Sequence, residues 1–164
     1  MTKDEYYLGI ALAVAKKSAC LKKQYGAVIV KNDEIVSTGY NGNCRGEPHC
    51  VKCSKIDCDK DEAEYSTCKS VHAEMNAIIS ASRNEMLGAT LYLAGYITYT
   101  GEENLNVEPC EICLRLIKNA GIDKVIVRQG IIYSRDNETK VLKKREIGAI
   151  KHRIFFKAAS PMAI

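Results

Sequence analysis

The chain has 164 residues, with eight cysteines, three histidines and no tryptophan. This length predicts one domain over residues 1–164, and a content of 46% hydrophobic and 27% charged residues excludes wholesale disorder. No apolar run reaches the roughly 18 residues that a membrane-spanning helix needs. The net charge is +4, but the basic C-terminal tail 141–164 alone carries +5. The rest of the chain is nearly neutral, which argues against an extended nucleic-acid surface.

The first predicted element is an N-terminal helix. Leu8 to Ala15 is apolar with helical spacing, and Thr2 and Glu5 form a capping box ahead of it. Acidic residues precede this segment, whereas a secretory signal begins with basic ones, so we expect a cytoplasmic protein with reduced thiols. The predicted buried face of the helix comprises Tyr7, Ile10, Ala11, Val14 and Ser18.

A hairpin and a long loop follow the helix. Ala27–Lys31 and Ile35–Tyr40 are typical of strands, and Asn32-Asp33 supplies the turn between them. Residues 41–70 then predict a loop of about 30 residues, rich in cysteine and in charge. Loops of this length inside a compact domain are usually functional or disordered.

The second half of the chain alternates helices and strands. The predicted elements are His72–Asn84 (helix), Ala89–Ala94 (strand), Cys110–Asn119 (helix) and Val125–Val127 (strand). A polar excursion over Thr98–Asn106 precedes the second of these helices, and Gly121 ends it. A further helix is predicted over about 140–147 and a last strand over 152–156. This order predicts an α/β fold with a mixed sheet.

Two short motifs predict a metal site, namely His72-Ala73-Glu74 and Pro109-Cys110-Glu111-Ile112-Cys113. Cys110 and Cys113 lie three positions apart, so one helical turn brings both sulfurs to one metal ion. His72 can add one nitrogen. Three protein ligands leave a fourth tetrahedral position open for water, which is typical of a catalytic zinc rather than a structural one.

Glu74 follows the histidine by two residues, close enough to exchange a proton with water at such a metal. The combination H-x-E followed by P-C-x-x-C is the signature of zinc-dependent nucleobase deaminases. The alternative is a buried structural zinc, with Glu74 serving only as an acidic residue in the first turn of a helix.

With these motifs the chain resembles the cytidine and deoxycytidylate deaminase superfamily, most of all its deoxycytidylate branch, from Gly26 to about Val127. The other segments that carry the resemblance are Tyr25–Ile29, Ser37–Gly42 and Asn119–Ile122. It implies a three-layer α-β-α fold with a five-stranded mixed sheet, and zinc-dependent hydrolytic deamination of a cytosine ring. The chain departs from the family pattern in a longer connection, Tyr96–Glu108, which could reshape the pocket.

The resemblance also implies three substrate contacts. Asn41 would hold the sugar, and the backbone of Ala73 would contact the edge of the base. Arg83 occupies a position near the nucleotide or a partner subunit in some members. A guanidinium suits phosphate, although an arginine at the end of a helix is as readily a solvated side chain.

The remaining cysteines indicate a second, structural zinc. The predicted ligands are Cys20, Cys50, Cys53 and Cys68. Cys58 is the main substitute for one of them, and His49 is an outside candidate. Cys50 and Cys53 have the spacing of a zinc pair, and closure would order the long loop. Cys20 and Cys50 also match positions at which some relatives bind a second zinc. The alternative is that these are reduced, partly buried thiols.

The sequence therefore predicts a zinc hydrolase of the cytoplasm that deaminates a cytosine nucleotide, with dCMP as the substrate and dUMP and ammonia as products. One alternative is a deaminase of tRNA adenosine or of free cytidine, because the zinc chemistry is shared. Another is a deaminase-like regulatory module that only binds nucleotide, against which the intact Glu74 argues. We expect a small-molecule nucleotide as partner, neither membrane nor nucleic acid, and a homo-oligomer, a dimer or a hexamer, as in relatives.

Overall fold

The computed structural model describes residues 1–57 and 68–136. Cys58 and the elements predicted at 140–147 and 152–156 lie outside these ranges. The helices are α1 (Lys3–Ala15), α2 (Ser54–Asp57), α3 (Ala73–Ile79), α4 (Arg83–Met86) and α5 (Glu111–Ala120). The strands are β1 (Lys23–Lys31), β2 (Glu34–Tyr40), β3 (Thr90–Ile97), β4 (Lys124–Val127) and β5 (Gly130–Ser134). None of the helices in the described ranges has the length and apolarity needed to cross a bilayer.

The strands form one five-stranded mixed sheet in the order β2-β1-β3-β4-β5. The pairs β1–β2, β1–β3 and β4–β5 are antiparallel, whereas β3 and β4 run parallel and are joined through α5. The α/β class and the five-stranded mixed sheet that the resemblance implied are both confirmed.

Helices cover both faces of this sheet. Along β1, Val28 and Val30 point to the face that α1 covers, whereas Ala27 and Ile29 point to the face of α3 and α5. This alternation explains why the centre of β1 is apolar without interruption, since both of its sides are buried. The arrangement is the three-layer α-β-α architecture.

Helix α1 has the predicted capping box but a rotated buried face. The Glu5 backbone N–H donates to Thr2 Oγ1 (3.2 Å), and the Thr2 N–H donates to the Glu5 carboxylate (2.7 Å). Leu8 and Ala15 are buried, whereas the predicted Ile10 and Val14 are only half-buried. A Cβ at Gly26 would lie 2.1 Å from the carbonyl oxygen of Ala11, so the helix backbone packs directly on β1 there and its alanines face the sheet.

The hairpin forms where it was predicted, with Asn32 (φ 52°) and Asp33 (φ 69°) in the left-handed region. This backbone geometry matches the two-residue turns whose twist suits a hairpin. Strand β1 begins earlier than predicted, at Lys23, because its first residues also pair with the end of β3.

The single helix predicted over 72–84 is wrong, because the chain forms two shorter helices there. Helix α3 ends at Ile79, and Ser82 caps a new helix by accepting a hydrogen bond from the Glu85 N–H, with Glu85 bonding back to the Ser82 N–H. Arg83 is therefore the first residue of α4 and not part of the last turn of a long helix.

Strand β3 runs to Ile97, beyond the predicted end at Ala94, so the connection Tyr96–Glu108 begins inside the strand and the polar excursion directly follows it. After a turn the chain folds back, with a bridge between Tyr96 and Glu103 and a hydrogen bond from the Asn104 N–H to the Gly95 carbonyl (2.8 Å). The polar excursion is thus attached to the edge of β3.

Candidate metal centre and active-site cleft

Three potential metal ligands meet where α3 and α5 begin. His72 Nδ1 lies 3.5 Å from Cys110 Sγ and 3.3 Å from Cys113 Sγ. All three ligand atoms lie within 4.8 Å of one another. In residues 1–57 and 68–136 this is the one place where three or more such atoms gather. The structure therefore brings together the three side chains that the two motifs predicted.

Local sequence features place these ligands. His72 and Cys110 are the N-cap residues of α3 and α5, both with extended backbone, so each ligand precedes a helix that points away from the site. Cys110 Sγ accepts a long hydrogen bond from the Cys113 N–H (3.5 Å), which is the capping interaction of a side chain at this position.

Strand β2 packs against α3 and fixes the position of this helix. A Cβ at Gly39 would lie 2.3 Å from backbone atoms of Ala73 and Ala77, so the helix lies directly on the strand at this glycine. The buried Ser37 hydroxyl donates to the Ala77 carbonyl (2.7 Å), and Asn76 Nδ2 donates to the Tyr40 carbonyl (2.8 Å). These contacts fix the start of α3, and with it His72.

Glu74 lies in the first turn of α3 and is 5% exposed. Burial raises the pKa of its carboxyl, and its own backbone N–H, His72 and the Cys113 thiol partly oppose this effect. The pKa of the Cys113 thiol is also raised, mainly by burial and secondly by the negative charge of Glu74. The donor set fits zinc, because a divalent cation would stabilise both thiolates beside this carboxylate.

Two of the three ligands, His72 and Cys110, border a cavity of about 320 Å³, within the usual size range of small-ligand sites. Glu74, Asn41, Tyr25 and Leu93 also line it. Three lysines, Lys22, Lys23 and Lys55, complete one part of its wall together with Glu108. The cavity thus combines two of the three metal ligands with a buried carboxylate, an aromatic ring and cationic groups.

Of the predicted substrate contacts, only Asn41 lines the cavity. Its Oδ1 accepts from the Tyr25 N–H (2.7 Å), and its Nδ2 donates to the Lys23 carbonyl (3.0 Å), so the amide also fixes the start of β1. An amide oxygen and nitrogen can each form one further hydrogen bond, which leaves capacity for a sugar hydroxyl.

Ala73 and Arg83 do not line the cavity. Ala73 is the first residue of α3 and its side chain is buried in the core. The exposed Arg83 donates from Nη1 to the Asn119 carbonyl near the end of α5, a favourable place for a cation near the C-terminus of a helix. Within this chain the structure does not bring Arg83 to the cleft.

The predicted second zinc set is not assembled. Cys20, Cys53 and Cys68 all line the cavity, but no group of three among the described thiols outside the first site is close enough to share a metal. Cys50 is exposed, and its thiol donates to Asn43 Oδ1 (3.6 Å). The seven cysteines in the described ranges form no disulfide with one another.

Lys22, Lys23 and Lys55 line the cavity although no sequence motif predicted them as site residues, and Tyr25 was predicted only as part of a family segment. A signal was available for Lys22 and Lys23, because they lie three and two positions before the family segment that begins at Tyr25. Lys55 lies in the long loop region, and its sequence context gives no such signal.

Comparisons with known proteins agree with this geometry. The family model for the cytidine and deoxycytidylate deaminase zinc-binding region matches residues 1–129. A deoxycytidylate deaminase of Mycobacterium phage D29 is 37% identical over 129 residues, which cover 75% of this chain and 91% of the relative. The deoxycytidylate deaminase of Saccharomyces cerevisiae is 34% identical over 148 residues, covering 88% of this chain but only 43% of the relative.

Among solved structures, the dCMP deaminase of the cyanophage S-TIM5 in its apo form has a TM-score of 0.56 and 26% identity. The match covers 76% of this chain and 81% of that one. Fold, site geometry and sequence therefore lead to one conclusion: the chain belongs to the cytidine and deoxycytidylate deaminase family.

Proposed function

We propose that this protein is a zinc-dependent hydrolase that converts dCMP and water into dUMP and ammonia. In this proposal His72, Cys110 and Cys113 hold the zinc ion, and Glu74 is the catalytic proton carrier. Asn41 holds the sugar and the backbone of Ala73 contacts the base.

The observation that carries the proposal is the convergence of three zinc-type ligand atoms. Two of their residues, His72 and Cys110, line a cavity together with the buried carboxylate of Glu74. A purely structural site would not need Glu74, and burying a charged carboxylate costs free energy. The names of the relatives supply the substrate, since those compared above are deaminases of deoxycytidylate.

The protein's own residues account for the proton movements. When bound, zinc would supply Lewis acidity and lower the pKa of water at the site from about 15.7 towards 7. Glu74 accepts a proton from the attacking water and delivers it to N3 of the cytosine ring. It then carries the second proton to the amino group on C4, which leaves as ammonia.

Ammonia release tests the proposal. Zinc-loaded protein is incubated with dCMP, dCTP, cytidine and a tRNA, and we expect ammonia from dCMP. Glu74→Gln should lower the rate by at least about 100-fold, because general acid–base catalysis typically contributes that much. The matched control is Glu34→Gln, an exposed glutamate outside the cavity, which should keep full activity. Absence of ammonia from every cytosine nucleotide would overturn the proposal, and release from tRNA alone would favour the adenosine reaction.

The number of zinc ions stays a prediction. Cys20, Cys53 and Cys68 border the cavity, which supports a second ion only if the sulfurs move closer or if residues outside the described ranges, such as Cys58, contribute. Elemental analysis of the purified chain should distinguish one zinc from two.

We also propose a homo-oligomer and a location in the cytoplasm. The first rests on the family resemblance, and the second on the free thiols of the seven cysteines in the described ranges. Sedimentation analysis of the purified protein tests the oligomeric state, and fractionation of cells that express it tests the location.

A further inference from the structure

Three lysines border the same cavity as His72, Cys110 and Glu74. Lys22 immediately precedes β1, Lys23 is the first residue of β1, and Lys55 comes from α2. The metal ligands, by contrast, come from the starts of α3 and α5. The cationic groups and the metal centre therefore reach the cavity from different parts of the fold.

The backbone of the first two lysines is held firmly. Asn41 Nδ2 donates to the Lys23 carbonyl (3.0 Å), and the Thr98 N–H donates to the Lys22 carbonyl (3.2 Å). The Lys22 ammonium donates to the Lys55 carbonyl (2.8 Å), which ties β1 to α2. Both side chains thus start from fixed positions beside the cavity, so less conformational entropy is lost when a ligand binds.

The side chain of Lys23 is half-buried at the cavity wall. Among the residues the structure describes, no carboxylate or carbonyl is bonded to its ammonium group. Two carboxylates, of Glu74 and Glu108, line the cavity against three lysines. Glu74 is buried beside the metal ligands and does not bond to Lys23. Because the Lys23 ammonium group has no bonded partner among the described residues, it is the cation best placed to bind an anion in the cavity.

We propose that Lys23, supported by Lys22 and Lys55, binds the phosphate of the substrate and thereby selects nucleoside monophosphates over nucleosides. This inference rests on the proposed function and adds residues that recognise the substrate class. Phosphate is a dianion near neutral pH, and lysine binds it as a mobile point charge. The sequence had offered Arg83 for phosphate, but that guanidinium is bonded at the end of α5.

The test measures binding separately from chemistry. Calorimetry on the zinc-loaded Glu74→Gln protein gives the Kd of dCMP and of deoxycytidine without turnover. Adding Lys23→Gln should raise the Kd of dCMP by about 10- to 100-fold, the effect of losing one charge-assisted interaction, and leave that of deoxycytidine unchanged. Lys23→Arg should retain most of the affinity for dCMP, and Lys17→Gln, at an exposed lysine outside the cavity, is the matched control.

Each outcome decides the inference. The inference would be overturned if the Glu74→Gln protein, with Lys23 intact, bound dCMP and deoxycytidine equally well. It would also be overturned if Lys23→Gln changed neither Kd, or changed both by the same factor. If Lys23→Gln weakens only dCMP, the inference holds. If it does so while the protein with Glu74 intact releases no ammonia, then the proposed function fails and the phosphate site stands.

Discussion

Gly39 shows how one residue controls the metal centre from the opposite side of a helix. It has no contact with the ligands, yet its missing side chain allows α3 to lie on β2 with backbone atoms 2.3 Å from the position of a Cβ. Any larger residue must push the helix away from the sheet. His72 immediately precedes α3, and Glu74 lies in its first turn. A displacement of the helix would therefore move both residues of the site.

We therefore expect Gly39→Ala to lower the free energy of unfolding by about 1–3 kcal/mol, as overpacking typically does. It should also weaken zinc binding, because His72 would shift relative to the two thiols. Urea unfolding and competition for zinc with a metal-sensitive dye measure the two effects. Gly42→Ala is the control, since nothing lies within 4 Å of its added Cβ. Equal stability and zinc affinity in the two variants would show that the contact at Gly39 is not restrictive.

Single residues also explain which parts of the site could be predicted. His72, Cys110 and Cys113 depend on local spacing at two helix starts, which a sequence displays directly. Lys23 and Tyr25 reach the cavity because β1 lies between β2 and β3, and a position in or near a family segment does not by itself reveal that placement. Their roles therefore emerged only with the tertiary structure.

At the scale of elements, the connection over 96–108 is more ordered than its polar composition indicated. Asn104 is 5% exposed, and its Nδ2 donates to the Tyr25 hydroxyl (3.2 Å). Its Oδ1 accepts from the Asn106 N–H (3.2 Å). Tyr25 lines the cavity, so this connection supports the cleft through one aromatic side chain.

Asn104→Ala should lower the free energy of unfolding by about 1–3 kcal/mol, because it removes a buried amide and leaves its partners unsatisfied. The urea midpoint measures this loss. Glu102→Ala lies in the same connection but is exposed, and it should unfold like the native protein. An unchanged midpoint for Asn104→Ala would mean that the connection does not support the fold.

Elements were predicted well where a cap marks them and poorly where periodicity alone was used. Thr2 and Gly121 mark the start of α1 and the end of α5, and both are found at those ends. Ser82 and Glu85 form the same kind of capping box, but they lie inside an apolar helical pattern that masked the break. Strand β5 is half-buried along its whole length, so it lacks the alternation that identifies a strand.

At the scale of the whole molecule, the metal centre would join two helices that are distant in sequence. His72 and Cys110 are 38 positions apart, and α3 and α5 pack on the same side of the sheet within one core cluster. An ion shared by these helices would stabilise the folded chain over the unfolded one, in which the ligands are dispersed.

Removal of zinc should therefore destabilise the whole fold and not only abolish activity. A ligand that binds only the folded state adds about 2.7 kcal/mol at 100 times its Kd, so a chelator should lower the thermal midpoint clearly. Zinc should restore the midpoint and magnesium should not, because magnesium prefers oxygen ligands. His72→Ala should show a reduced response to zinc, whereas Cys44→Ala, at an exposed thiol outside both predicted zinc sets, should respond like the native chain. A native midpoint that is indifferent to the chelator would mean that no ion joins α3 to α5.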